Sequence, residues 1–139
     1  MTPRRCLSLI LLFLGLSAIA LAASNGAWLR KVPEADRVRT NPYAGNPEAV
    51  SAGRLLFADN CAKCHGSNAE GLRGRPSLRS DRVTNATDGE LAWLLRNGSL
   101  AKGMPTWSSL PEPERWQIIA FLRSLHRDSS TQAAAAGHP

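Results

Sequence analysis

A chain of 139 residues, 43% hydrophobic, is the length of one small domain with short additions. Its 17 Lys and Arg against 11 Asp and Glu give a formal net charge of +6. The arginines are scattered and no basic helix with interleaved aromatics occurs, which excludes nucleic acid as a partner and leaves a mild preference for anionic partners or surfaces. No internal repeat is present.

Residues 1–23 read as a signal peptide. Arg4 and Arg5 make 1–5 basic, and 6–23 form an apolar run ending in Ala20-Leu21-Ala22, an A-x-A-like cleavage signal. The run is long for such a segment, so an uncleaved anchor stays open. Ser8, Gly15 and Ser17 lower its hydrophobicity and favour cleavage, which would remove Cys6 and reduce the basic count from 17 to 15, leaving +4. Residues 24–46 mix charge with Pro33, Pro42 and Gly45 and keep no period, as a linker or an N-terminal arm laid over the domain does. Membrane association is expected only if the N-terminal segment is retained.

The first helix is expected from Pro47, with Asn46 as N-cap and Pro47 at the first helical position. It would bury Val50, Gly53, Leu56 and Phe57 before running into Cys61. Cys61-Ala62-Lys63-Cys64-His65 follows, the C-x-x-C-H spacing of c-type haem attachment. Cysteines about one helical turn apart can form thioethers to vinyl groups on neighbouring pyrroles, and the next residue puts an imidazole under the iron. Cys61, Cys64 and His65 are therefore the candidate residues for one covalent haem c. A thioredoxin-like dithiol would need a βαβ setting, where the periodicity here is helical. A zinc site would need further ligands at metal-like spacing, and no second cysteine pair exists.

The loop after the motif carries Arg73, Arg75, Arg79 and Arg82, each of which reads as a solvated charge unless one pairs with a haem propionate. A second helix opens with the capping box Thr87-x-x-Glu90, carries Leu91, Leu94 and Leu95 on one face and stops at Asn97-Gly98. Met104 follows, the one methionine besides Met1 and so the one thioether the mature domain can offer as a sixth iron ligand. Gly103 permits unusual backbone angles and Pro105 biases Met104 towards an extended conformation, so the sulfur can project from a loop. His126 and His138 are the competing ligands. A third helix starts around Leu110-Pro111-Glu112-Pro113 with acidic residues in its first turn and buries Ile118, Phe121, Leu122 and Leu125. Residues 128–139 read as a disordered tail.

With C-x-x-C-H at 61–65, Gly103-Met104-Pro105 and the helices around them, residues 46–127 resemble a class I cytochrome c of the small bacterial periplasmic kind. The resemblance implies a cytochrome c domain at 47–127, all-α, its helices wrapped around one covalently bound haem. A domain of about eighty residues has a marginal apolar core, which the macrocycle would complete. Gly53 and Phe57 match the family's first-helix pair, and Phe121 matches the aromatic of its last helix. Pro76 matches the proline whose carbonyl fixes the ring of the proximal histidine, although a loop proline is also an ordinary turn former. Trp107 matches an aromatic near a propionate, with ordinary packing as its alternative. His65 and Met104 then become the iron's axial ligands.

The function so implied is one-electron transport in a periplasmic respiratory or dehydrogenase-linked chain. With both axial positions filled, no site remains for peroxide or oxygen, which makes the protein a carrier and not an enzyme. The alternatives are a haem subunit of a larger membrane redox complex, and a peroxidase or gas sensor with a labile Met104. Haem attachment outside the cytoplasm implies export unfolded. Partners would be a periplasmic dehydrogenase or terminal oxidase, with an acidic docking face meeting a rim of Asn60, Ala62, Lys63 and residues 102–105.

Overall fold

A computed structural model describes the backbone of residues 26–136 and side chains as far as His126. The expected signal peptide at 1–23 and His138 lie outside these residues. Two units divide the chain, Met1–Lys31 and Val32–Pro139. In the first, the described part ends in a single 3₁₀ turn, Leu29–Lys31, with the Lys31 N–H donating to the Trp28 carbonyl at 2.9 Å.

The second unit is helical: α1 Glu34–Arg37, α2 Pro47–Asn60, α3 Ala62–His65, α4 Asp81–Asn85, α5 Asp88–Asn97 and α6 Glu112–Ala136, with a 3₁₀ turn at Leu100–Lys102. No strand occurs among the described residues; Ser99 and Met104 form one isolated bridge. The architecture is all-α, as the helical periodicity predicts.

The helix starts follow the local chemistry. Asn46 Oδ1 accepts from the Ala49 N–H at 2.9 Å, with Pro47 opening α2. At α5, Thr87 Oγ1 accepts from the Glu90 N–H at 3.1 Å while Glu90 Oε2 accepts from the Thr87 N–H at 2.8 Å, a closed capping box. The α2–α6 pair forms the most extensive helix interface. Ala49, Gly53 and Phe57, four residues apart, are the buried face of α2. A methyl built on Gly53 would overlap the Gln117 carbonyl, so the two backbones touch there. One turn on, the Phe57 and Phe121 rings meet at 5.3 Å between centroids and 53° between planes, a favourable tilted aromatic pair. Val50 and Leu56, expected in the core, are half-buried because this face centres on Ala49 instead.

Part of the arm, 32–46, packs onto α5 and α6. Arg37 pairs with the buried Glu90, Arg96 with Asp36 at 3.0 Å, and Arg39 with Glu112. Arg39 also lies 5.1 Å over the Trp116 ring, and the buried Asn41 donates to the Trp116 carbonyl at 2.9 Å. Gly89 is what lets the arm approach, since a Cβ there would overlap the Asp36 carbonyl. Midway along α6, Arg123 donates to Asp88 at 2.8 Å and to the Val83 and Thr84 carbonyls at 3.1 and 3.0 Å, fixing the α4–α5 junction. The backbone of α6 continues to Ala136, through most of the stretch read from the sequence as a tail; alanines are the strongest helix formers, and four of them close the helix.

Candidate functional site

The C-x-x-C-H motif sits at a break between two helices. The Cys61 N–H closes α2 by donating to the Phe57 carbonyl at 2.8 Å, and the Cys61 carbonyl then accepts from the Cys64 and His65 N–H groups at 3.1 and 3.0 Å. Cys61 and Cys64 therefore occupy one turn, Cys61 buried and Cys64 exposed. Burial, and secondarily the neighbouring Cys64, pushes the Cys61 thiol up to about 11, so it is held neutral at physiological pH.

Gly66, at φ +80°, ends the turn, and the following loop returns to His65. Gly71 donates to the His65 carbonyl at 2.8 Å; at φ +90°, a Cβ on it would lie 2.8 Å from Ser77 N and 2.9 Å from the Arg75 carbonyl. This close approach brings the Pro76 carbonyl to 3.0 Å from His65 Nδ1. A carbonyl can only accept, so Nδ1 carries the proton and Nε2 keeps its lone pair for a metal.

Met104 stands in a tight loop after α5. Its N–H and carbonyl exchange hydrogen bonds with Ser99 at 3.1 and 2.9 Å, and Gly103 turns the chain at φ +74°. Gly98, whose Cβ would crowd the Pro105 carbonyl, lets the loop close. Met104 is half-buried between exposed neighbours. Trp107, also half-buried, is anchored by its N–H to the Leu95 carbonyl at 2.9 Å. The structure ties the two loops together through Arg75, whose Nη1 donates to the Lys102 carbonyl at 3.0 Å. Arg75 had only its positive charge to mark it in the sequence. Gly71 carried no mark at all, because its role depends on where the chain returns.

The donors fit a covalently attached haem: two thiols on one turn, an imidazole with one nitrogen committed to a carbonyl, and a thioether on a glycine-proline loop. Leu72, 44% exposed, and Leu100, 74% exposed, add apolar surface in the same two loops. Among the described residues no three His, Cys, Asp or Glu side chains converge as a zinc site's ligands do. His126, the rival sixth ligand, packs against α4, its ring nitrogens 3.1 and 3.2 Å from Thr84 Oγ1.

Comparison with known proteins agrees. Residues 48–122, more than half of the chain, match the family model described as cytochrome C oxidase, cbb3-type, subunit III. The cbb3-type cytochrome c oxidase subunit CcoP of Rubrivivax gelatinosus is 31% identical over 94 residues, 66% of this chain and 31% of the relative. Cytochrome c550 of Pseudomonas aeruginosa is 32% identical over 91 residues, 63% of each chain. The crystal structure of cytochrome cL from Methylophaga aminisulfidivorans has a TM-score of 0.54 at 29% identity, covering 72% of each chain. The chain thus spans about a third of the length of CcoP and nearly two thirds of cytochrome c550. It belongs to the c-type cytochromes, in the family that the cbb3-type subunit III domain defines.

Proposed function

We propose that the chain is a one-electron carrier of the periplasm, holding a single haem c through Cys61 and Cys64, with His65 and Met104 as axial ligands. Family membership implies haem c with iron, and the bound group supplies the Fe(II)/Fe(III) couple. The observation that carries the ligation is the hydrogen bond from His65 Nδ1 to the Pro76 carbonyl at 3.0 Å, which fixes the tautomer and aims Nε2 as the donor. Met104 supplies a soft neutral donor, and methionine opposite histidine favours the reduced state. Trp107, anchored on α5 by its backbone N–H, is proposed to border a propionate.

In ferric protein, methionine ligation gives a weak far-red absorption band. Met104→Ala should abolish it and open the ferrous iron to carbon monoxide. A bis-histidine spectrum in the wild type, lost on His126→Ala, would overturn the assignment.

A second reading, a haem subunit of a membrane redox complex, is favoured by the CcoP relative, named as an oxidase subunit. No helix among the described residues is long and apolar enough to cross a membrane, so such a tether would have to lie elsewhere. Fractionating native cells decides between them: a free carrier appears in the periplasmic fraction, a subunit in membranes with its partners.

A further inference from the structure

Arg75 stands where the two ligand loops meet. Its main chain leads directly into Pro76, whose carbonyl holds His65 Nδ1 at 3.0 Å, while its side chain reaches the Lys102 carbonyl at 3.0 Å, two residues before Met104. Gly103 lies directly under that guanidinium: a Cβ there would sit 2.6 Å from Arg75 Nη1. The base of the residue is equally confined. Its N–H donates to the Leu72 carbonyl at 2.9 Å, and its own carbonyl lies against Gly71.

We propose that Arg75 is a positioning residue that couples the two axial ligands. Displacing the Met104 loop outwards must stretch the Arg75–Lys102 hydrogen bond, and that bond is continuous, through the Arg75–Pro76 backbone, with the carbonyl that orients His65. The bond is exposed, so solvent screens part of the donor's charge, and because its acceptor is a main-chain carbonyl it tolerates substitution at Lys102. It rests on the His65/Met104 ligation proposed above.

The test uses holo-protein carrying Arg75→Ala, Arg75→Lys or, as control, Arg79→Ala, which removes a comparable bond from Arg79 Nε to the Asn68 carbonyl, 2.7 Å, in the same loop. Imidazole is titrated into ferric protein and its displacement of the thioether followed at the far-red band. Arg75→Ala should raise the apparent imidazole affinity about tenfold, the effect of losing one charge-assisted hydrogen bond. Arg75→Lys should recover part of the loss, and Arg79→Ala should match the wild type. An Arg75→Ala protein with wild-type affinity, or an equal rise in Arg79→Ala, overturns the coupling and leaves the ligation standing. A wild-type protein without the band overturns both.

Discussion

At His65, one ring nitrogen is committed to a carbonyl whose position depends on a glycine five residues earlier than Pro76. Gly71 combines φ +90° with backbone neighbours under 3 Å from any added Cβ. Gly71→Ala should therefore push the Pro76 carbonyl away, destabilising the holo-protein by about 2–3 kcal/mol in denaturant unfolding and weakening the protection of the His65 Nδ1–H seen by NMR. Unchanged protection would show that the loop accommodates a methyl. The attachment residues are legible in the sequence because their chemistry is fixed by local spacing: Cys61, Cys64 and His65 need only one turn of helix. Gly71 and Arg75 are not, since nothing local says that residue 71 will touch residue 77, or residue 75 the carbonyl of residue 102.

Among the helices, α2, α5 and α6 are readable from Asn46-Pro47, from Thr87-x-x-Glu90 and from the prolines and acids before Trp116, because caps and period act within a few residues. α1 and α4, of four and five residues, are too short to show a period. The α2–α6 crossing yields a prediction. Gly53→Ala should cost about 1–3 kcal/mol in thermal unfolding, since the methyl meets backbone that cannot rotate aside. The arm gives one in pH. The hydrogen bond from Arg39 holds the Glu112 carboxyl below its ordinary 4.5. A lowered native pKa contributes stability above the unfolded value and loses it as pH falls through the native one. Glu112 is largely exposed, so the contribution is under about 1 kcal/mol. Urea unfolding of Glu112→Gln should show lower stability at neutral pH than the wild type, with the difference vanishing in acid. A difference that persists in acid would assign the loss to packing.

For the whole molecule, the small core is the constraint. Replacing Cys61 and Cys64 by Ala should leave a chain without a cooperative thermal transition, because the domain is then without the macrocycle that fills it. A sharp helical melt would show the apolar α2–α6 contact to be sufficient. Lys63, on α3, and Lys102, at the end of the 3₁₀ turn before Met104, are both exposed. Encounters steered by such charges are fast and salt-sensitive. Electron transfer to an acidic partner should slow as ionic strength rises and slow further in Lys63→Glu with Lys102→Glu; a salt-independent rate would place docking elsewhere. The arm, finally, decides where mechanical tension enters. A pull on the chain at Val32 meets the pairs of Arg37 with Glu90, Asp36 with Arg96 and Arg39 with Glu112, then the Asn41 hydrogen bond to Trp116, before it reaches α2. Two helices, α5 and α6, share that strain, so the arm spreads a pull across the packed helices before any of it reaches the attachment turn at the end of α2.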